Sequence, residues 1–352
     1  MTLKKISLTN FRNFREKAVS FNPELTIIIG ENAKGKTNLL EAVHFIVNGV
    51  GFRESKEVEL LYFDSNEHAT VEAEFEEEGA KKTFRTVLVK KNQDEAARVE
   101  KSFFVGRTKK RQFQYRQELL SAVLFTPQQI EILTGSPDKR REYFNKLISL
   151  YDYEYKKRLD NYEKALRRRN KVLEKYIDRK QVEKELTFWD DYLEGEASYV
   201  TTKRQEYLKF LNDNPKIDSK SFHIEYQKNE FSKKRIQEVR EIELNARRTV
   251  IGPQKDEFQI SLQGSRDKNV HRFGSRSEQR LTILWLKLCE VLYCTQNTGK
   301  EPILLFDDIF SELDVKNRKL IFALIKSHQT VLTTTEEEIL PIAKVQKSII
   351  RI

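Results

Sequence analysis

The sequence predicts an α/β fold, in which a mixed sheet with helices forms a head that is split by an inserted α-helical arm. Three features predict it: a glycine loop between an apolar strand and a helix at 25–47, an apolar strand ending in carboxylates at 303–308, and a glycine-poor, charged helical pattern between them. At 352 residues the chain exceeds what one core usually serves. We therefore expect a head built from 1–137 and 246–352, and an arm at 138–245.

The head begins with a predicted strand at Met1–Ile6, and its most informative segment is the loop Gly30-Glu31-Asn32-Ala33-Lys34-Gly35-Lys36-Thr37. The loop matches G-x-x-x-x-G-K-[ST], a pattern whose backbone N–H groups cradle phosphate oxygens at a helix start. Lys36 would reach the β- and γ-phosphates, Thr37 would offer its hydroxyl to Mg²⁺, and Asn38 begins the helix. A plain glycine turn is disfavoured, because only 12 of 352 residues are glycine and two occupy the required positions. We expect ATP or GTP to bind here.

The elements after the loop follow from apolar patterns. Alternation predicts a hairpin at Val71–Phe75 and Phe84–Val89, and short strands follow at Ser102–Val105 and Ala122–Phe125. From Asp138 to about Ala246 long amphipathic helices dominate, for example over Tyr151–Lys184. The third segment returns to strands and turns, and its predicted elements are Thr249–Pro253, Phe258–Leu262, a helix at Glu278–Tyr293, a strand at Ile303–Phe306, a helix at 315–327 and strands at Val331–Thr333 and near Ile349.

Two basic segments are candidates for contacts with a polyanion, which a net charge of +10 favours. In Gly106–Arg116, where Phe113 and Tyr115 interrupt the charge, we predict DNA contacts by Lys109, Lys110 and Arg111. The densest cluster lies in the arm and consists of Arg167, Arg168 and Arg169. A solvated helix face, or pairing of the arm cluster with Glu163 and Glu174, is the alternative that the sequence leaves open.

Two carboxylates follow the apolar strand Ile303–Phe306. A buried strand that ends in Asp is how phosphate-loop enzymes hold Mg²⁺, usually through water. We predict that Asp307 is the metal residue and that Asp308 polarises the attacking water. A buried strand with acidic residues at its exit is the alternative. The motif continues through Ser311-Glu312-Leu313-Asp314.

A serine precedes the long helix of the third segment, in Gly274-Ser275-Arg276-Ser277-Glu278-Gln279-Arg280. Taken alone, Ser275 with Glu278 is an ordinary capping box. Its position about 30 residues before the Asp307 strand is typical of the signature of ABC-type ATPases, in which Ser275 would close on the ATP of a partner protomer. The separation of 238 residues from Thr37 is longer than in transporter ATPases and far shorter than in SMC proteins.

Composition excludes several classes of protein. No run of about 18 apolar residues predicts a membrane helix, and the N-terminus lacks the apolar core of a signal peptide. The two cysteines, Cys289 and Cys294, and five scattered histidines form neither a disulfide framework nor a metal pattern. We expect a cytoplasmic protein without a membrane partner.

Several motifs in one order resemble the RecF recombination-repair family along nearly the whole chain. They are Leu8–Phe14, Gly30–Ala42, Leu124–Pro127, Gly135–Arg141, Ala246–Pro253, Gly274–Arg280 and Ile303–Asp314. The resemblance implies an ABC-type head with a helical second lobe. Arg12 and Asn13 lie close before the loop, and either contacts with phosphates or a purely structural role is open to them.

The resemblance also implies function: ATP-dependent dimerisation, binding of single-stranded and gapped duplex DNA, slow hydrolysis as a switch, and cooperation with RecR in loading recombinase and in SOS induction. Two departures bear on the rate of hydrolysis. Ser277 stands where a glycine is usual, and Gln254-Lys255-Asp256-Glu257 stands where His-Arg-Asp-Asp is more frequent.

Two other functions are alternatives to the DNA-repair function that the resemblance implies. An ABC-type ATPase subunit that serves a membrane permease is the first alternative, and the long separation of loop and signature argues against it. An ATPase-coupled nuclease is the second. Only 38 residues follow Asp314, too few for an added nuclease domain.

Overall fold

The computed structural model describes residues 1–53, 56–62, 68–93, 96–175, 179–264, 268–312, 315–335 and 345–352. The chain divides into two compact units: the first joins Met1–Gln128 to Glu290–Ile352, and the second is Gln129–Cys289. Among the described residues, no helix is both long and apolar enough to cross a membrane.

The first unit starts with groups of strands that are separated by single helices. Its elements up to residue 128 are β1 (Thr2–Phe11), β2 (Phe14–Ser20), β3 (Leu25–Ile29), α1 (Lys36–Asn48), β4 (His68–Glu77), β5 (Ala80–Gln93), β6 (Ala96–Val105), β7 (Thr108–Lys110), α2 (Gln112–Glu118) and β8 (Ala122–Phe125). Six of these strands form an antiparallel sheet in the order β2-β1-β4-β5-β6-β7. The predicted hairpin is its β4–β5 pair.

The second unit is mainly helical and contains one small sheet. Its elements are α3 (Glu131–Thr134), α4 (Pro137–Tyr151), α5 (Tyr153–Glu174), α6 (Arg179–Asp213), β9 (Lys216–Ile217), β10 (Lys220–Gln227), α7 (Lys233–Ala246), β11 (Glu257–Leu262), β12 (Lys268–Asn269), α8 (Val270–Phe273) and α9 (Arg276–Thr298), which ends in the first unit. The sheet is antiparallel, in the order β12-β11-β10-β9.

The predicted helical pattern of the arm differs from the structure at two places. Tyr151–Lys184 is not one helix, because α5 ends at Glu174 and α6 begins at Arg179. Neither strand of the pair β9 and β10 was predicted. The alternation of buried Phe222 and Ile224 with exposed residues in β10 is that of a strand, but it is short and lies within a charged, helix-rich stretch.

A parallel sheet in the first unit carries the candidate site. It is completed by β13 (Ile303–Asp307), α10 (Val315–Ile325), β14 (Thr330–Thr334) and β15 (Lys347–Arg351), and its strand order is β15-β3-β14-β13-β8. Every residue of β3, β13 and β14 is buried, as expected for strands covered on both faces. Their register places Ile29 beside Thr334, and Thr333 beside Asp307.

Helix α1 packs into the core that both sheets of the first unit share. Ten of its thirteen residues are buried, including apolar residues on all sides such as Leu39, Val43 and Phe45. A helix that is apolar all round must be covered all round. Because α1 is fixed in this way, its first turn has a set position at the carboxyl end of β3.

Candidate functional site

The loop between β3 and α1 has a backbone that requires both of its glycines. Gly35 has a φ of 106°, and a Cβ there would lie 2.6 Å from Asn13 Nδ2. A Cβ at Gly30 would clash with the backbone oxygen of Ile352. Ala33 also adopts a left-handed conformation, with a φ of 66°. The glycine spacing that identified the loop is therefore required by its fold.

The side chain of Lys36 lies within the loop. Its Nζ donates to the backbone oxygens of Gly30 at 2.7 Å and Glu31 at 2.8 Å, and only 7% of the residue is exposed. Lys34 differs, because its ammonium is exposed and lies 3.9 Å from the carboxylate of Glu31. The structure therefore places one of the two loop lysines inward and the other in solvent.

Thr37 and Asp307 meet at the carboxyl ends of β3 and β13, although 270 positions separate them. Thr37 Oγ1 donates to Asp307 Oδ1 at 3.0 Å. The parallel strands of one sheet deliver their terminal residues to one edge, which is where ligands of such sheets bind. The two residues predicted to be metal ligands are thus brought together.

Thr333 completes this junction and was missed in the sequence. Its Oγ1 donates to Asp307 Oδ1 at 2.8 Å and accepts from the backbone N–H of Asp308 at 3.1 Å. Asp308 has a φ of 51°, a left-handed conformation that these contacts help to hold. The available signal was a polar residue at the end of a buried strand. The sequence could not show that β14 lies between β3 and β13.

A chain of amide contacts supports the loop from outside. Asn38 Nδ2 donates to Asn13 Oδ1 at 2.8 Å, and Asn13 Nδ2 reaches the backbone oxygen of Lys34 at 3.4 Å. Arg53 Nη2 donates to Asn38 Oδ1 at 3.0 Å. Asn13 and Asn38 thus lie beside the loop as predicted, and Arg53 is an additional neighbour that no motif indicated.

Arg12 is held by a buried carboxylate on α1. Its Nε donates to Glu41 Oε2 at 2.7 Å, and its Nη1 donates to the backbone oxygen of Glu59 at 2.7 Å. Burial raises the pKa of Glu41, but Arg12 and the backbone N–H groups of Phe52 and Arg53 outweigh it and hold that pKa below its ordinary value. These contacts favour the structural role that the sequence left open for Arg12.

Ser275 caps the exposed start of α9. Glu278 N donates to Ser275 Oγ at 3.3 Å, and Ser275 N donates to Glu278 Oε2 at 2.7 Å, which is a reciprocal capping box. Lys268 and the Ser275 N–H lower the pKa of Glu278 to about 2. Ser275 and Ser277 are exposed. The cap does not exclude the predicted contact with a partner protomer, which stays a prediction.

The arm cluster separates into one buried and two exposed arginines. Arg169 is fully buried, with Nε 2.8 Å from Asp190 Oδ1 and Nη2 2.6 Å from Glu243 Oε2. It is therefore not available to a DNA phosphate, and the prediction is wrong for this residue because helical spacing turns it into the core. Arg167 and Arg168 are exposed.

The basic segment near β7 is also only partly exposed. Lys109 and Arg111 are exposed, and Lys110 is half-buried and lies 3.2 Å from a carboxylate oxygen of Glu118. Tyr115 is fully buried, and its hydroxyl donates to the backbone oxygen of Ile46. It is a core residue and does not line a nucleic-acid surface.

The segment Gln254–Glu257, which departs from the family's more frequent sequence, contains two acidic residues that pair with arginines of the second unit. Asp256 is buried and accepts from Arg204 Nη1 at 2.5 Å, and Glu257 pairs with Arg140 at 2.8 Å.

Ser311 and Glu312 lie in a short 3₁₀ helix at Ile309–Glu312. Leu313 and Asp314, which continue the predicted motif, lie outside the described residues.

Comparison with known proteins agrees with these features. The family model described as the RecF/RecN/SMC N terminal domain matches residues 2–351. A DNA replication and repair protein RecF of Acetivibrio thermocellus is 31% identical over 96% of this chain and 94% of its own. One of Natranaerobius thermophilus is 30% identical over 96% of this chain and 92% of its own.

Solved structures give the same assignment at the level of the fold. The structure of the recombination mediator protein RecF-ATP in the RecFOR pathway has a TM-score of 0.82 at 28% identity, over 98% of this chain and 93% of that chain. A Pyrococcus furiosus Smc head domain, bound to the C-terminal domain of ScpA, has a TM-score of 0.51 at 17% identity over 97% of this chain and 91% of that chain. The latter supports the fold alone.

Proposed function

Since the chain belongs to the RecF/RecN/SMC family, we propose that it is an ATP-dependent DNA-binding protein of recombinational repair and replication-fork maintenance. The predicted family resemblance and the ABC-type α/β head are confirmed by these likenesses. The observation that carries the proposal for this chain is the 3.0 Å contact of Thr37 with Asp307, beside a loop that encloses Lys36.

ATP is the nucleotide proposed for the loop. The two required glycines keep the backbone bare where phosphate oxygens approach, and the start of α1 adds a partial positive charge there. Lys36 Nζ would exchange its contacts with the backbone oxygens of Gly30 and Glu31 for the β- and γ-phosphates. The side chain of Lys34 is exposed beside Glu31, so we expect this residue to contact phosphate through its backbone N–H.

Mg²⁺ fits the residues at the sheet edge. The Thr37 hydroxyl and the Asp307 carboxylate are oxygen ligands, and Thr333 holds the carboxylate in place. Among the described residues there is no group of three or more His, Cys, Asp or Glu that could hold a metal. This agrees with an ion that relies on phosphates and water for its other ligands. When bound, the ion would neutralise charge on the phosphates.

Hydrolysis is proposed to be weak, stimulated by DNA, and to act as a switch. Asp308 is the residue proposed to orient and polarise the attacking water, and its backbone is fixed by two contacts with Thr333. A switch needs little rate enhancement, because closure of two heads on ATP is a binding event.

A homodimer is proposed as the DNA-bound state. Ser275 is exposed at the start of α9, so that a second copy could bring its ATP to that helix end. The closed dimer would hold DNA where single strand and duplex meet, and hydrolysis would release it. Cooperation with RecR, recombinase loading and SOS induction are proposed from the family.

The test of the proposal is the affinity for ATP of two lysine variants. Lys36→Ala should abolish ATP binding in calorimetry and, with it, the DNA binding that depends on ATP. Lys34→Ala is the matched control in the same loop and should bind ATP almost as the unmodified protein does. Normal ATP affinity in Lys36→Ala, with the fold retained, would refute the assignment of the loop.

A further inference from the structure

Three aromatic side chains lie on one side of α6 in the second unit. Phe188 is 64% exposed, Tyr192 is 40% exposed, and Trp189 is half-buried between them. The ring centres of Phe188 and Trp189 are 5.0 Å apart, and those of Trp189 and Tyr192 are 6.4 Å apart. We call these three residues the aromatic face.

The aromatic face is anchored but not covered. Trp189 packs against the buried cluster that includes Leu193 and Phe231, which fixes its ring. Phe188 and Tyr192 extend from this anchor into solvent, whereas the neighbouring apolar residues Leu186 and Leu193 are fully buried. Large aromatic rings left in water next to a fixed ring are a feature of binding surfaces.

Basic side chains of α5 border the aromatic face. The Arg168 guanidinium lies 5.7 Å from the centre of the Trp189 ring, within cation–π distance. Lys164, Arg167 and Lys171 share the exposed stripe of α5 with Arg168, by helical spacing. Within the part of the chain that the structure describes, none of these four side chains forms a close ion pair with a carboxylate, although Arg167 attracts Glu163 one turn before it.

Acidic residues of α6 also lie close to the aromatic face in sequence, namely Glu185, Asp190, Asp191 and Glu194. Asp191 pairs with Lys233 at 3.0 Å, and Glu185 lies one turn before Trp189. Arg169 faces the core, where Asp190 and Glu243 neutralise it. The positive charge that borders the rings therefore comes from the exposed side of α5.

We propose that the aromatic face binds single-stranded DNA, with bases stacked on Phe188, Trp189 and Tyr192. Phosphates would pair with the four basic residues of α5. Stacking on aromatic rings beside a basic track is how proteins hold single strands without sequence preference. A duplex offers no free base faces to these rings. The inference rests on the proposed DNA-binding function and adds a site for the unpaired strand.

The test compares a labelled oligothymidylate of about 15 nucleotides with a blunt duplex. The Phe188→Ala/Tyr192→Ala variant should bind the oligothymidylate about tenfold more weakly for each ring removed. Duplex binding in the presence of ATP should not change. Tyr153→Ala, which removes an aromatic residue 53% exposed on α5, is the matched control and should bind both DNAs normally.

A second readout is tryptophan emission. The chain has two tryptophans, and Trp285 is only 1% exposed, so that stacked bases can quench only Trp189. Oligothymidylate should quench part of the emission of the unmodified protein. Replacing Arg167 and Lys171 by alanine should flatten the salt dependence of log affinity by about 0.7 for each phosphate that no longer has a basic partner.

The outcomes separate this inference from the proposed function. If the unmodified protein binds oligothymidylate and the double variant binds it equally well, the aromatic face has another occupant, such as a protein, and the inference is wrong. An unmodified protein that does not bind the oligothymidylate also overturns it. Duplex binding with ATP, measured in the same series, decides the proposed function independently.

Discussion

Replacing Arg169 by methionine should destabilise the second unit without a direct effect on DNA affinity. The guanidinium is fully buried and donates three hydrogen bonds: 2.8 Å to Asp190, 2.6 Å to Glu243 and 2.6 Å to Thr249 Oγ1. Burial acts to lower the pKa of Arg169, but the carboxylates of Glu243 and Asp190 outweigh it and hold the pKa above its ordinary value. The side chain is therefore a buried cation.

The expected loss in free energy of unfolding depends on which carboxylate is left without a cation. Asp190 keeps a second partner, Arg240, whereas fully buried Glu243 keeps, among the residues that the structure describes, the backbone N–H of Val250 at 3.0 Å. Removing one partner of a buried pair costs about 3–5 kcal/mol. Because Asp190 stays paired, we expect about 3 kcal/mol, which is about 10 °C in the melting temperature of a unit of this size.

The assay is thermal unfolding of Arg169→Met beside two matched variants. Arg168→Met changes the exposed neighbour and should melt within about 1 °C of the unmodified protein. Arg169→Met/Glu243→Gln removes the stranded charge and should recover part of the loss. An Arg169→Met protein with an unchanged melting temperature and weakened DNA binding would show that Arg169 contacts DNA after all.

Three further predictions concern the candidate site and the start of α9. Thr333→Val keeps the shape of the side chain but removes the hydroxyl contacts with Asp307 and Asp308. The kcat for ATP hydrolysis should therefore fall about tenfold, with little change in ATP affinity. Thr333→Ser, which keeps the hydroxyl, should restore kcat. Equal activity in both variants would contradict this role. Ser275→Arg should spare ATP binding by the monomer but block the ATP-dependent dimer, and Asp308→Asn should trap that dimer, as light scattering can measure; a Ser275→Arg protein that still dimerises would refute the signature assignment. The pKa of Glu278 is lowered from 4.5 to about 2, so its contribution to stability is present above pH 4.5 and is lost as the pH falls towards 2. Glu278→Gln should flatten that part of the pH profile of the melting temperature, and an unchanged profile would contradict it.

Local signals predicted the loop and the strands that carry it. Leu25–Ile29 and Ile303–Phe306 are uninterrupted apolar runs, which is what strands covered on both faces require. The glycine positions follow from backbone conformation, which one chain segment determines by itself. Lys36, Thr37 and Asp307 could therefore be chosen from the sequence before their geometry was known.

Partners that depend on tertiary arrangement could not be chosen in the same way. Thr333 contacts Asp307 because β14 lies between β3 and β13 in the sheet. The spacing of residues along the chain does not predict that strand order. Arg169 follows Tyr162 and Ala165 at helical spacing on the buried side of α5, so its burial had a local signal. Its carboxylate partners lie 21 and 74 positions away, which made a buried arginine difficult to anticipate.

In the proposed function, ATP held at Gly30–Thr37 converts this chain into a dimer that retains DNA. The most direct measurement is the mass of the complex on a gapped duplex, with ATP and with ADP, for the unmodified protein and for Lys36→Ala. We predict a DNA-bound dimer with ATP, monomers with ADP, and no dimer of Lys36→Ala with either nucleotide. A protein that stays monomeric in ATP, or that retains DNA equally with ADP and in the Lys36→Ala variant, would contradict the account.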